Sequence, residues 1–147
     1  MIAEFLLCGS TIVMSPQNGT FYTHSCTNCI TEYYSDDDEV LKENVQKLQS
    51  FLQLKQGWNT YDALPFSATH ILNTEKILRN LSVQPKVFPT GRQSIQLEYE
   101  KPNGDYLEFE IFESGVIEVL LIINNKEKEF TIADTEIERE VDKFYAS

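Results

Sequence analysis

From residue 94 onward the chain alternates apolar and polar residues with a period of two, which is typical of strands that bury one face. Successive runs are separated by short segments that contain glycine or asparagine, the residues that favour tight turns. We therefore predict an antiparallel four-stranded meander over about residues 94–132. Its apolar positions are Ile95, Leu97, Tyr99, Leu107, Phe109, Ile111, Ile117, Val119, Leu121, Ile123, Phe130 and Ile132.

The turns determine the register of these strands, because residues directly opposite each other lie on the same face of a sheet. A three-residue loop that ends on Gly104 pairs Tyr99 with Leu107 and keeps the apolar residues together. A second loop that ends on Gly115 continues this alternation. Both glycines supply the left-handed conformation that such loops require, so we assign them structural roles.

Three segments show the apolar spacing of amphipathic helices, over about residues 37–55, 67–82 and 134–145. Ser67 and Asp134 are suitable N-caps for the second and third of these helices. One apolar sheet face with helices available to cover it predicts an α+β fold. A chain of 147 residues fits a single domain.

The first 35 residues show weaker patterns. Two short strands are predicted there, together with a hairpin turn at Pro16-Gln17-Asn18-Gly19. The stretch that follows the turn has no clear period and is predicted to form a loop. The packing of this short N-terminal hairpin and loop is left open by the sequence.

The charge balance is unusual, with 23 acidic and 12 basic residues and a formal net charge of −11. Such a charge argues against nucleic-acid or anionic-membrane binding and favours a basic partner or plain solubility. No apolar run approaches the roughly 18 to 20 residues that cross a bilayer. The start of the chain has an acid and no base before its apolar run, unlike a signal peptide. Three cysteines fit reduced thiols better than disulfides, and we predict a cytoplasmic protein.

The predicted register brings acidic residues together on the sheet face opposite the apolar one. Glu98 lies opposite Glu108, and Glu110 lies opposite both Gln96 and Glu118. Facing like charges destabilise a sheet, so a nearby Lys or Arg, a bound cation or a basic partner is expected to offset them. The alternative is a solvated acidic face whose apolar part is covered by the N-terminal strands. The predicted partner-binding residues are Glu98, Glu108, Glu110, Glu118, Tyr106 and Phe112.

A second cluster contains His24, Cys26 and Cys29, with Cys8 as a fourth candidate ligand. A C-x-x-C turn supplies two of the four ligands that a structural zinc ion needs. A strong zinc motif would add a second C-x-x-C or a pair of histidines, and the sequence has neither. A redox pair and an ordinary loop are the alternatives, and we predict no metal or cofactor.

The segment Gly57–Pro65 links the first two helices and contains Trp58, the only tryptophan of the chain. Gly57 is suited to ending one helix, and Pro65 precedes the next one. A single tryptophan beside a turn is typically a packing residue whose indole N–H finds a backbone acceptor. We therefore assign structural roles to Gly57, Trp58, Tyr61 and Pro65.

Catalytic motifs are missing from the sequence. There is no G-x-S-x-G, H-E-x-x-H or phosphate-binding loop, and His70 lies on the second predicted helix without an evident nucleophile. The sequence therefore favours a role without catalysis, although paired carboxylates can in general perform acid–base chemistry.

Two segments resemble a group of small bacterial proteins of unassigned function. These proteins read G-W-D-G-Y-x-A-x-P, a helix, and then P-x-V-x-P-T-x-x-G-x-I-x-L-E-W before a strand hairpin. The present chain has Asn59 for the usual Asp, Ser94 for the Gly and Tyr99 for the second Trp. The resemblance covers about residues 54–123 and implies an α+β domain of bacterial or phage origin, without an activity.

Together these patterns predict a non-catalytic acidic domain that binds a protein, in the style of an antitoxin, an immunity protein or a secretion chaperone. The partner is expected to be basic or partly apolar. One alternative is a zinc-binding or carboxylate-dependent enzyme. Another is an accessory domain that forms a homodimer through the sheet face. Neither nucleic acid nor membrane is an expected partner.

Overall fold

The structure is a computed structural model that describes residues 5–7, 10–14, 21–24 and 36–147, with side chains described from residue 39 onward. The chain divides into two compact units, Met1–Tyr33 and Tyr34–Ser147. The assignment of the whole chain to one domain stays a prediction.

The described residues of the N-terminal unit form three short strands, β1 (Phe5–Leu7), β2 (Ser10–Met14) and β3 (Phe21–His24). They pair antiparallel in the order β1-β2-β3. The predicted turn at residues 16–19 lies outside the described residues, so the N-terminal hairpin stays a prediction.

The second unit has the predicted α+β fold, with three helices and one antiparallel sheet. The sheet has five strands in the order β4-β5-β6-β7-β8, whereas four were predicted. The helices are α1 (Asp36–Ser50), α2 (Ala68–Leu78) and α3 (Ile137–Ala146), and the strands are β4 (Lys86–Pro89), β5 (Ser94–Glu100), β6 (Tyr106–Phe112), β7 (Ile117–Ile123) and β8 (Lys126–Ile132).

Strand β4 is the element that the sequence pattern missed. It is only four residues long, which is too short to show a period of two. It follows Pro85 directly and ends on Pro89. Proline cannot donate a ladder hydrogen bond and is confined to edge strands or strand ends. The prolines therefore argued against a strand in the sequence, although they are compatible with the edge strand that the structure contains.

The predicted register is confirmed. Tyr99 pairs with Leu107, and Ile111 pairs with Ile117. The two loops end on Gly104 and Gly115, whose φ angles are +87° and +86°. Each loop therefore places its glycine in the left-handed conformation on which the register prediction depended.

Two predicted helix ends differ from the structure. The first helix becomes a 3₁₀ turn at Phe51–Gln53 and ends before residue 55. The second ends at Leu78. A tight turn follows, in which Leu81 N–H donates a hydrogen bond to Leu78 O at 3.2 Å. Leu81 is nevertheless buried in the core, because this turn keeps its side chain beside the helix.

The N-caps were also predicted, and one is confirmed. Ser67 caps α2 by accepting a hydrogen bond from His70 N–H at 3.1 Å. Asp134 does not cap α3; it begins a 3₁₀ turn, Asp134–Glu136, that precedes the helix. Glu136 accepts a hydrogen bond from Ala133 N–H at 3.1 Å and so takes over part of the capping role.

The helices cover one face of the sheet. The buried cluster combines residues of all three helices with the inward-facing residues of the strands. The opposite face contributes no residue to this cluster, so the core lies on one side of the sheet. The fully buried side chains of the cluster are Leu48, Ile71, Leu78, Val87, Ile95, Leu97, Leu107, Phe109, Ile117, Val119, Ile137, Val141 and Phe144.

Candidate protein-interaction surface

The five-stranded sheet presents its second face away from the helices, and this surface is referred to as the outer sheet face. Strand pairing places the same alternation of residues across all five strands. Apolar and acidic residues are interspersed along it, and most are partly exposed. The outer sheet face comprises Lys86, Phe88, Ser94, Gln96, Glu98, Glu100, Tyr106, Glu108, Glu110, Phe112, Glu118, Leu120, Ile122, Glu127, Glu129 and Thr131.

Glu98 and Glu108 lie opposite each other, as the register predicted. Each accepts a hydrogen bond from a residue of its own strand. Gln96 Nε2 donates to Glu98 Oε1 at 2.9 Å, and the Tyr106 hydroxyl donates to Glu108 Oε2 at 2.7 Å. These donors partly compensate the facing negative charges, because a hydrogen bond to an ionised acceptor is stronger than a neutral one.

The same contact affects Tyr106. Burial of its ring and the hydrogen bond to the Glu108 carboxylate raise the pKa of the Tyr106 phenol above its ordinary value. Both effects disfavour the phenolate, the first by desolvation and the second by repulsion between like charges. Tyr106 therefore remains a neutral donor on this face at any physiological pH.

The second like-charge pair, Glu110 and Glu118, is bridged by Arg92 from the loop between β4 and β5. Arg92 Nη1 lies 2.8 Å from Glu110 Oε2, and Arg92 Nη2 lies 3.4 Å from Glu118 Oε2. The guanidinium carbon also lies 5.0 Å from the centre of the Phe112 ring. Of the three offsets that the sequence left open, the structure contains the nearby arginine.

Glu110 and Glu118 differ in accessibility. Glu110 accepts from the buried Ser94 hydroxyl at Oε1 and from Arg92 at Oε2, and its side chain is 12% exposed. The Glu118 side chain is 48% exposed. Glu110 therefore anchors the loop of Arg92 to β6 and bonds the first residue of β5, whereas Glu118 presents its carboxylate to solvent.

A groove of about 440 Å³ follows this surface. Its lining includes the carboxylates of Glu108, Glu110, Glu118 and Glu129 and one cation, Arg92. Four carboxylates less one guanidinium give the groove a formal charge of −3. Leu120 and the methyl group of Thr131 add apolar surface. A groove of this kind suits lysine or arginine side chains, which bury an apolar stem and keep a charged head group.

Sequence reasoning placed all six predicted binding residues on this face but missed Arg92, Ser94, Glu127 and Glu129. Arg92 belongs to the turn after the unpredicted strand β4, so its position depended on β4. Ser94 begins the predicted strand β5, and only the hydrogen bond of its hydroxyl to Glu110 was not foreseen. Glu127 and Glu129 could have been found by extending the strand parity to β8, since they are opposite Ile122 and Leu120.

The Trp58 segment was assigned a structural role, and its ring contacts the core. Trp58 packs on Phe66 with 6.3 Å between ring centres. The predicted backbone acceptor for its indole is not found, since the buried Nε1 has no hydrogen-bond partner among the described residues. The Tyr61 side chain is 79% exposed, so it lies outside the core.

The backbone of the same segment is closed by its own hydrogen bonds. Gly57 N–H donates to Ala63 O at 2.8 Å, and Asn59 Oδ1 accepts from Tyr61 N–H at 3.0 Å. Gly57 has a φ of +78°, which explains the glycine at this position. Pro65 is exposed, and its carbonyl accepts a hydrogen bond from Gln93 Nε2 at 3.2 Å. This last contact ties the segment to the loop of Arg92.

The described residues contain no cluster of three or more potential metal ligands. Cys8, Cys26 and Cys29 lie outside them, and His24 lies on β3 with only its backbone described. His70 is buried, and its Nε2 lies 3.0 Å from Ile111 O. Burial lowers the pKa of the His70 imidazole, an effect opposed by its bond to Ile111 and by the charge of Glu113. The ring therefore links α2 to β6 as a neutral donor.

Comparison with protein-family models, with curated proteins and with solved structures finds no match for the chain. The resemblance to the small bacterial proteins therefore stays a prediction. Within the described residues, none of the helices combines the length and the apolar character needed to cross a membrane.

Proposed function

We propose that this chain is a non-catalytic protein-binding domain whose outer sheet face binds a basic, partly apolar segment of another protein. The observation that carries the proposal is the groove with four carboxylates and one arginine on a sheet face that the helices leave uncovered. The partner's cations would contact Glu98, Glu108 and Glu118, and its apolar residues would contact Tyr106, Phe112 and Leu120.

The distribution of charge supports this assignment. Charge complementarity mainly increases the rate and the specificity of association, and the net charge of −11 attracts basic proteins over a longer range. Antitoxins, immunity proteins and secretion chaperones are classes in which a small acidic domain has such a role. The cysteine content favours the cytoplasm as its compartment.

Arg92 has a defined place in this proposal. It pairs closely with Glu110 and more weakly with Glu118, and it lies over the Phe112 ring. A partner cation that approaches Glu118 therefore meets a carboxylate that is only weakly paired, at 3.4 Å, and has to share it with Arg92 or displace Arg92. Binding at this position should consequently depend on Glu118 more strongly than on Glu110.

The test compares two variants that carry the same change in net charge. The face variant combines Glu98→Gln, Glu108→Gln and Glu118→Gln. The control variant combines Glu39→Gln, Glu43→Gln and Asp142→Asn, which are exposed helix residues without a hydrogen-bonding or ion-pair partner among the described residues. Each variant loses three negative charges and keeps side chains of similar shape.

Tagged wild-type protein and both variants are used for affinity capture from the host lysate at low salt and at physiological salt, where the screening length is about 8 Å. We expect a basic protein that the wild type and the control variant retain at low salt and that the face variant loses. Equal loss from both variants would indicate a general charge effect, and equal retention would show that the outer sheet face is not the binding surface.

A further inference from the structure

The two edges of the five-stranded sheet differ in their ability to accept another strand. An edge strand presents unpaired backbone N–H and C=O groups that can pair with a strand of another chain. The edges here are β4 and β8. Within residues 36–147, their residues and surroundings show that one edge is closed and the other is open.

Strand β4 is the closed edge. It is four residues long and ends on Pro89, which has no backbone N–H. Val87 is fully buried in the core. Helix α1 also reaches this edge, since the Lys47 ammonium lies 4.3 Å from the centre of the Phe88 ring and Asn44 Nδ2 donates to Pro85 O at 2.9 Å. A further strand has too few free amides and too little space here.

Strand β8 is the open edge. Asn124 and Asn125 have φ angles of +51° and +60° and form a two-residue turn in which Ile123 pairs with Lys126. In a hairpin of this type the closing pair exchanges both backbone hydrogen bonds, and the bonded pairs recur at every second residue. The N–H and C=O groups of Glu127, Glu129 and Thr131 therefore point away from β7, toward the free edge.

The side chains of β8 divide by charge. Lys126 and Lys128 lie on the helix side of the sheet, and Glu127 and Glu129 lie on the outer sheet face. All four are exposed. An antiparallel strand placed beside β8 would be matched best if it carried acidic residues opposite the lysines and basic residues opposite the glutamates, because facing opposite charges stabilise a pair of strands.

From this geometry we propose that β8 accepts an extended segment of a different protein as an additional antiparallel strand. The segment has alternating charge, with its basic residues on the outer sheet face and its acidic residues on the helix side. The inference goes beyond the proposed function, since it depends on the free backbone groups of residues 127–131, whereas the proposed function is tested at the carboxylates of Glu98, Glu108 and Glu118.

A second copy of this chain matches the edge less well. Pairing of two whole β8 strands about a two-fold axis places Glu129 opposite its own copy. If the pair is shifted so that its centre is Lys128, Lys128 faces its own copy and Glu127 of each chain faces Glu129 of the other. Facing like charges are destabilising, so the charge pattern selects a partner of different sequence.

Two seven-residue peptides of the same composition test the inference. The matched peptide, Val-Thr-Val-Lys-Glu-Lys-Glu, places lysines opposite Glu127 and Glu129 when it pairs antiparallel. The exchanged peptide, Val-Thr-Val-Glu-Lys-Glu-Lys, places like charges opposite each other at four positions. Both have blocked ends and are titrated into the full chain labelled with ¹⁵N, and the amide resonances of β8 are followed by NMR.

We expect the matched peptide to shift the amide signals of Glu127, Glu129 and Thr131 and to bind about tenfold more tightly than the exchanged one, from the sum of four cross-strand charge pairs. A variant with Lys126→Glu, Glu127→Lys, Lys128→Glu and Glu129→Lys keeps the net charge and should reverse this preference. Thr131→Pro removes one outward N–H without removing a bond to β7, and it should weaken both peptides relative to Thr131→Val.

Equal affinity for the two peptides, shifts confined to residues outside β8, or no shift at millimolar peptide would each overturn the inference. Dimerisation of the chain alone through β8, detected by sedimentation, would also overturn it. These outcomes do not decide the capture experiment with the face variant, because that variant changes Glu98, Glu108 and Glu118 and leaves residues 126–132 unchanged. The two proposals can therefore fail independently.

Discussion

Arg92 acts on the sheet as an internal counter-ion. It reaches from a loop to two glutamates on different strands and lies over an aromatic ring. The Arg92 side chain is 62% exposed, so each ion pair is screened by solvent. Exposed pairs contribute little individually, but removal of this cation would also leave Glu110 and Glu118 facing each other without a positive charge between them.

We predict that Arg92→Gln lowers the free energy of unfolding by about 1 kcal/mol. Lys42→Gln on α1 is the matched control, because it removes the same charge from an exposed residue that has no ion-pair partner among the described residues. Urea denaturation followed by circular dichroism measures both. If Glu118→Gln in the Arg92→Gln background recovers no stability, repulsion between the two glutamates is not the cause.

Trp58 offers a second test at this scale. Its ring packs on Phe66, whereas its buried N–H has no partner among the described residues. We predict that Trp58→Ala costs about 3 kcal/mol through lost packing. Trp58→Phe should cost much less, because it keeps most of the apolar contact and removes a polar group that gains nothing from burial. Equal losses for the two variants would show that the indole N–H has an acceptor.

At the scale of elements, the loops between strands set the register of the whole sheet. Gly104 has a φ of +87°, and a Cβ added there would meet no atom within 4 Å. The cost of replacing it is therefore a backbone cost, without a steric contribution from neighbours. This separation makes the position suitable for measuring how firmly the loop holds the register.

We predict that Gly104→Ala lowers the free energy of unfolding by roughly 1–2 kcal/mol. Gly104→Asn should lose clearly less, because asparagine adopts the left-handed conformation more readily than alanine. Chemical denaturation of the three proteins gives the comparison. An alanine variant as stable as the wild type would mean that the loop can adopt a different turn.

The elements also show what the sequence could and could not predict. The register followed from parity, because Tyr99, Leu107, Phe109 and their neighbours alternate without interruption and only a glycine-ended loop keeps them on one face. Strand β4 was missed because its four residues, which follow one proline and end on another, are too few to show a period. Arg92 was missed because the reach of a long side chain from a loop is set by tertiary structure and leaves no pattern in the sequence.

At the scale of the whole molecule, the response to acid depends on groups of two kinds. Burial lowers the pKa of His70, so the folded state favours the neutral imidazole. Hydrogen bonds lower the pKa of three carboxyl groups. The largest effect comes from the Arg79 side chain at Glu75, from Asn124 N–H at Asp105 and from Ala133 N–H at Glu136. The folded state therefore binds protons less readily than the unfolded state at all four groups.

The sign of the pH dependence follows from this difference. Since the unfolded histidine takes up a proton near pH 6.5, stability should begin to fall as the pH drops through that value, and it should fall further below about pH 4.5 as carboxylates are protonated. We predict that His70→Gln, which retains a donor for Ile111 O, removes the first decline and leaves the second. Urea titrations from pH 8 to pH 4 measure both, and an unchanged first decline would exclude His70 as its source.

The difference between β4 and β8 also limits how this domain can assemble. A chain that joins others edge to edge can form a fibre only if both of its edges accept a neighbour. This sheet has one edge closed by prolines and a helix, so it can be extended on one side only. Added to the exposed sheet edge of another protein, it would act as a terminus that prevents further growth.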